Sequence, residues 1–103
     1  LWQSGKLVGK TAGVFQGTGT MQGGQETVAM NCMSFFAHQG MVFIPLGYTD
    51  PQAFSYEEIH GASPWGSGTY AGPDGSRQPT SMELSIAENH GKHFANLTTK
   101  LSA

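Results

Sequence analysis

Residues 11–46 read TAGVFQGTGTMQGGQETVAMNCMSFFAHQGMVFIPL, and this stretch decides the fold. Thr11–Phe15 is a short apolar run that predicts a strand. It breaks at Gly17-Thr18-Gly19-Thr20, and Gly23-Gly24 follows. From Gln25 the pattern changes. Val28, Cys32 and Phe35 or Phe36 recur every three to four residues, the spacing of a helix with one apolar face. His38 and Gly40 close that helix, because glycine takes the left-handed conformation that ends helices. Met41–Leu46 is then a continuous apolar run without polar alternation. That pattern predicts a strand of a parallel sheet covered on both faces. Strand, glycine loop, helix, strand is a βαβ unit, with an expected right-handed crossover.

Working outward, Gly47–Pro79 is long and rich in Gly, Ser and Pro. It also carries Tyr48, Phe54, Tyr56, Trp65 and Tyr70. Connections this long are uncommon unless functional or disordered, and the aromatics argue for order. Phe54–Ile59 is expected to form a short helix or strand, and Asp74-Gly75-Ser76 a turn. Pro79 precedes Thr80, and Glu83 lies three residues after it, which predicts a capping box. The helix that follows repeats Leu84, Ala87, Gly91, Phe94, Leu97 and Leu101 at three or four residues, a single apolar stripe. No internal repeat and no linker interrupts this order.

The totals narrow the function classes. A chain of 103 residues suits one small domain. Five basic against seven acidic residues leave no basic patch, so nucleic-acid binding lacks its electrostatic footprint. Charged residues are 12% of the chain, about half the usual quarter, and 15 glycines are about twice the usual share. With six Phe and two Trp beside them, those glycines indicate ordered loops rather than disorder. Cys32 has no cysteine partner, which fits a reducing, cytoplasmic setting, and its apolar neighbours suit a packed thiol better than a reactive one. No apolar run reaches the roughly 20 residues of a membrane span. Leu1 opens no charged leader, and a start on Leu rather than Met suggests that the true beginning has been lost.

The chemistry-bearing stretch is Gly17-Thr18-Gly19-Thr20-Met21-Gln22-Gly23-Gly24. It sits between strand and helix, at the carboxyl end of a strand where open α/β sheets bind ligands. Glycines let backbone N–H groups approach a ligand, and Thr hydroxyls and the helix N-terminus add donors. The pattern is neither G-x-G-x-x-G, because Gln22 stands at the third glycine, nor a P-loop, because no Gly-Lys-Ser/Thr follows. A flexible turn remains the alternative. His38 reads either as a cation complementing the helix dipole or as an imidazole near a bound ring. His90 and His93 lie three apart, but no further ligands accompany them, so they are expected on the solvated surface rather than on a metal. His60 is uninformative, Glu57 and Glu58 read as a surface pair, and Asn96-Leu97-Thr98 matches a glycosylation sequon by chance. No Ser/His/Asp arrangement is recognisable. Trp2 either packs or covers a ligand.

A specific resemblance rests on these residues. Leu1-Trp2, Leu7-x-Gly9-Lys10, Thr18-Gly19-Thr20, Gly23-Gly24-Gln25-Glu26-Thr27 and Ala37-His38-x-Gly40-Met41-Val42 resemble WrbA-type NAD(P)H:quinone oxidoreductases, a flavodoxin-like family. Gly61-x-Ser63-Pro64-x-Gly66 and Ala71-Gly72-x-Asp74-Gly75-Ser76-Arg77-Gln78-Pro79 continue the match along essentially all of the chain. The resemblance implies a doubly wound parallel sheet of order 2-1-3-4-5 with FMN at its switch point. In that frame residues 1–103 are the C-terminal half of one domain, with Thr11–Phe15 its fourth strand and Met41–Leu46 its fifth. It further implies that Gly17, Thr18, Gly19, Thr20, Met21, Gln22 and Gly23 run along the flavin ring. His38 lines the flavin site, and Trp2 walls the pocket for quinone and nicotinamide. It implies FMN as cofactor, NAD(P)H as co-substrate, two-electron reduction of quinones and a homotetramer, and the flavin carries the chemistry without a catalytic side chain. Gln16-Gly17, Gln39 and Trp65 depart from the commonest family residues without breaking the pattern. The family's front half, with its phosphate loop, is absent from these residues. The chain is therefore expected to be partial and not to bind FMN alone, its fourth strand left with an open edge. The rival expectations are a truncated, non-catalytic interaction module and a flavodoxin-like electron carrier.

Overall fold

The computed structural model describes residues 1–102. In chain order the elements are β1 (Thr11–Ala12), β2 (Gln16–Thr18), α1 (Gln25–Gln39), β3 (Val42–Phe43), a 3-10 turn at Pro51–Phe54, β4 (Gly68–Tyr70) and α2 (Ser81–Ser102). β1 pairs in parallel with β3, and β2 pairs in parallel with β4. The result is a small α/β fold with two short parallel ladders, compatible with part of a doubly wound sheet.

The predicted strand Thr11–Phe15 is corrected by these pairings. Its ladder stops after Ala12 and resumes at Gln16, beyond the predicted end. Val42 N–H reaches Lys10 O and Ile44 N–H reaches Ala12 O; further on, Gln16 N–H reaches Ser67 O and Ala71 N–H reaches Thr18 O. Every engaged residue of the 10–18 run is even-numbered, so both ladders lie along one edge of it. β3 and β4 are thus two pieces of one neighbouring strand, interrupted by the excursion 44–67. The excursion touches the run where the ladder is broken. A Cβ on Gly66 would collide with the Val14 carbonyl. The odd-numbered residues Thr11, Gly13, Phe15 and Gly17 direct their backbone groups to the opposite edge, which no described strand occupies.

The second predicted strand, Met41–Leu46, also shrinks. Val42 is 43% exposed and Pro45 is exposed, whereas Ile44 and Leu46 are buried. The run is only partly covered, without the two-sided burial expected, and Pro45 has no N–H with which to extend a ladder. Beyond it, Phe54–Ile59 is not an element. The local structure is the 3-10 turn, capped by Asp50, whose carboxylate accepts from Gln52 N–H at 2.9 Å.

The helix boundaries follow the sequence signals. α1 begins at Gln25 and ends on Gly40, whose φ of 73° is the left-handed cap. α2 starts behind the expected capping box: Glu83 N–H donates to Thr80 Oγ1 at 3.1 Å and Thr80 N–H to Glu83 Oε1 at 2.9 Å. Its buried line is Glu83, Ile86 and His90. That line is rotated by roughly a quarter turn from the predicted stripe, of which Leu84 and Leu101 are each 59% exposed. The apolar core gathers Leu46, Ala62 and Ile86, with Ala53 and Met82 packed against it. A second aromatic cluster stacks Phe36 on Phe43 and Phe43 on Trp65, with centroids about 6 Å apart. No helix among the described residues is long and apolar enough to cross a membrane.

Candidate functional site

The glycine stretch divides between two elements. Gly17 and Thr18 belong to β2, so only Gly19–Gly24 form the turn that leads into α1. The turn lies at the carboxyl end of β2, beside the end of β4. Gly72 N–H donates to Gly19 O at 2.8 Å and Gly23 N–H to Thr20 O at 3.3 Å. Gln22 has a φ of 59° and is the sole non-glycine with positive φ among the described residues. That conformation is uncommon for a side-chain-bearing residue and costs free energy that the surrounding contacts must offset. The N–H groups of Gly19, Thr20, Met21 and Gln22 have no acceptor among the described residues. α1 adds to this supply. Its cap, Gly24, offers no side-chain acceptor, so the first-turn amides are left for water or a ligand. The turn is solvent-exposed from Gly19 to Gly24.

The threonine hydroxyls do not behave as the sequence suggests. Thr18 Oγ1 donates to Thr20 O at 2.6 Å and accepts from Gln25 Nε2 at 3.0 Å. Its proton is committed inside the turn, so Thr18 braces the loop rather than offering a donor outward. The Thr20 hydroxyl lies against Gly23, so closely that a Cβ there would not fit.

Beneath the turn lies a buried polar node that sequence reasoning missed. Gln25, 3% exposed, donates from Nε2 to Thr69 O at 2.9 Å as well as to Thr18, and its own carbonyl accepts from Gln16 Nε2 at 2.7 Å. Glu83, also 3% exposed, accepts on Oε1 from Thr69 Oγ1, Arg77 Nη1 and Thr80 N–H, and on Oε2 from Gly61 N–H at 2.9 Å. Arg77 stacks its guanidinium 3.6 Å over the Tyr70 ring and donates to Tyr70 O at 2.8 Å. Burial alone would raise the Glu83 carboxyl. The donors from Thr80, Thr69, Arg77 and Gly61 together outweigh burial and hold it below its ordinary value, so it stays ionised. The capping box marked Glu83 in the sequence, but nothing local signalled its other partners.

Trp2 and His38 lie elsewhere. His38 occupies the last turn of α1, where its Nδ1 donates to Ser34 O at 2.8 Å in an exposed setting. Thirteen residues of helix separate it from Gln25, about 20 Å along the axis. Trp2 is 64% exposed, in a segment of turns that reaches the same end of α1 through Gly9 N–H to Gly40 O. Within one copy the structure does not bring His38 to the glycine turn, and Trp2 makes no hydrogen bond to it. His90 reverses its expectation: it is buried, not solvated. Its Nδ1 accepts from Ser67 N–H at 3.2 Å and meets Ser67 Oγ at 3.0 Å. Burial, then the charge of His93, lowers its pKa. His90 and Phe94 face an apolar cavity of about 440 Å³ bounded by Gly13–Phe15, on the side of the broken strand.

Comparison with family models gives no match. Comparison with individual proteins does. The chain is 53% identical over 103 residues to the NAD(P)H quinone oxidoreductase YCP4 of Candida albicans, covering 98% of this chain and 36% of that protein. It is 50% identical over 99 residues to the NAD(P)H quinone oxidoreductase PST2 of the same organism, covering 96% and 49%. It is 47% identical over 102 residues to the quinone-oxidoreductase QR2 of Triphysaria versicolor, covering 98% and 50%. The chain therefore spans half or less of the length of these relatives.

Proposed function

We propose, from the premise that this chain is homologous along nearly its whole length to NAD(P)H quinone oxidoreductases, that it forms the C-terminal half of a flavodoxin-like domain. The complete domain would bind FMN and reduce quinones with NAD(P)H. The observation that carries this reading is the turn Gly19–Gln22: four successive amides without internal acceptors, at the carboxyl end of a parallel pair. A planar ring with electron-rich edges suits such a row of donors, which needs no side chain to hold it. When bound, FMN supplies hydride acceptance from NAD(P)H and two-electron delivery to a quinone.

The chain's own residues then have defined tasks. The amides of Thr20 and Met21 would hold the ring edge and favour negative charge on it. Gly17 and Gly19 would let the ring approach the backbone, and Met21, 55% exposed, would shield it from water. His38 sits at the far end of α1, so its part at the ring, together with that of Trp2, would be played in a neighbouring copy. This accords with a proposed homotetramer. The open edge at Thr11–Gly17 would receive the third strand of a 2-1-3-4-5 sheet, and that half would bring the phosphate loop.

Producing the complete protein and recording its visible spectrum tests the reading. A yellow protein that oxidises NAD(P)H when a benzoquinone is added is the expected result. A colourless protein that gains no flavin absorbance on incubation with FMN would refute it and favour the non-catalytic interaction module.

A further inference from the structure

We propose that Thr18 and Gln25 are positioning residues that aim the Met21 amide outward, beside a Thr20 amide turned out by Gly72, with Glu83 anchoring them from behind. This rests on the flavin reading for the identity of the ligand, but the geometry stands by itself. A trans peptide holds its C=O and the following N–H on opposite sides. Fixing a carbonyl inward therefore turns the next amide outward. The Thr20 carbonyl is fixed inward by the Thr18 hydroxyl at 2.6 Å, which turns the Met21 N–H out. The Gly19 carbonyl is fixed by Gly72 N–H at 2.8 Å, which turns the Thr20 N–H out.

The Thr18 hydroxyl carries one proton, and Gln25 decides where it goes. Both Nε2 protons of Gln25 are spent, one on Thr69 O and one on Thr18 Oγ1. Thr18 must accept from Gln25 and can only donate onward, to Thr20 O. Gln25 is itself locked. Its Oε1 lies so near Gly68 that a Cβ there would stand 2.6 Å away, and its carbonyl is held by Gln16. Thr69 is locked in turn by Glu83 Oε1 at 2.8 Å. The result is a connected network with Gln25 at its centre: one arm donates through Thr18 to the turn, and the other holds the Thr69 carbonyl, whose residue donates its hydroxyl to the buried Glu83 carboxylate at the start of α2. Buried polar groups are costly unless fully bonded, so such a network has one low-energy arrangement and fixes the turn in one conformation.

The test compares Thr18→Val, which keeps the shape and removes the hydroxyl, with Thr18→Ser, which restores it. In the complete protein before FMN is added, amide exchange at Gly23 and Gly72 should be about tenfold faster in Thr18→Val, matching the loss of one or two net hydrogen bonds. Exchange at Ile86 and His90 should be unchanged, and Thr18→Ser should match the parent. Unchanged Gly23 and Gly72 exchange in Thr18→Val, or equal acceleration at Ile86, would overturn the proposal. In the complete protein titrated with FMN, Thr18→Val should bind about tenfold more weakly and Thr18→Ser like the parent. Equal FMN affinity in Thr18→Val and parent would overturn the aiming role. A parent protein that binds no FMN would sink the flavin reading instead, while the exchange measurements still decide the positioning network.

Discussion

Glu83 shows how much one residue can carry. It caps α2, pairs with Arg77 at 3.1 Å and ties Gly61 and Thr69 to the helix, all from a buried position. Removing it leaves Gly61 N–H and the Thr69 hydroxyl without an acceptor and takes the partner from a half-buried Arg77, so Glu83→Ala should cost about 3 kcal/mol in urea unfolding. Thr80→Ala, which loses the cap and an exposed hydrogen bond to Glu58, should cost about 1 kcal/mol. The capping role was legible because Thr80 and Glu83 are three residues apart. The links to Gly61, Thr69 and Arg77 were not, because they depend on how distant segments meet. His90 was misread for the same reason. Its neighbours in sequence are polar, and its burial comes from Ser67, 23 residues away. Both groups set the pH response. The folded pKa of His90 lies below its ordinary 6.5, so the stability it contributes is present above that pH and lost as pH falls through the folded value. Glu83, lowered from 4.5, contributes stability that is complete above 4.5 and lost further into acid. Unfolding free energy should therefore fall in two stages on acidification, and His90→Gln should flatten the first.

At the scale of elements, α1 and its two glycine boundaries could be read directly, since turn chemistry and helical spacing are local signals. The strands could not. The ladder skips Gly13–Phe15 and resumes at Gln16-Gly17-Thr18, which lack an apolar strand pattern and pair because Ser67 O and Ala71 N–H are presented to them. The α2 stripe was misplaced because the helix has two apolar faces. Ile86 packs inside, while Leu84, Ala87 and Gly91 face out along the cavity and the adjoining cleft. α1 has its own outer pair, Val28 and Phe35, each at least 50% exposed. Under the proposed half-domain reading these faces meet the other half of the sheet. Leu84→Lys should then change the stability of the isolated chain by less than about 0.5 kcal/mol. In the complete protein the same change should cost several times more, because it would bury an unpaired charge. Paired thermal melts check both.

For the whole molecule, the open edge at Thr11–Gly17 and the apolar cavity beside it are where the proposed other half of the sheet would dock. An unpaired strand edge next to apolar surface promotes association. Sedimentation of the isolated chain should show concentration-dependent species, and adding the complementary half should replace them with one defined complex. The strand, glycine loop and helix pattern placed the glycine turn at the end of a parallel strand, although the turn begins at Gly19 rather than Gly17. It could not show that Thr18 is spent on bracing, nor that His38 stands at the opposite end of α1. The central claim is that the turn's outward amides hold an FMN ring. Its most direct test is the amide NMR spectrum of the complete protein as FMN is added. The largest shifts should fall on Thr20 and Met21, with His90 and the α2 amides barely moving. Saturable FMN binding that leaves the Gly19–Gln22 amides unmoved would contradict the account.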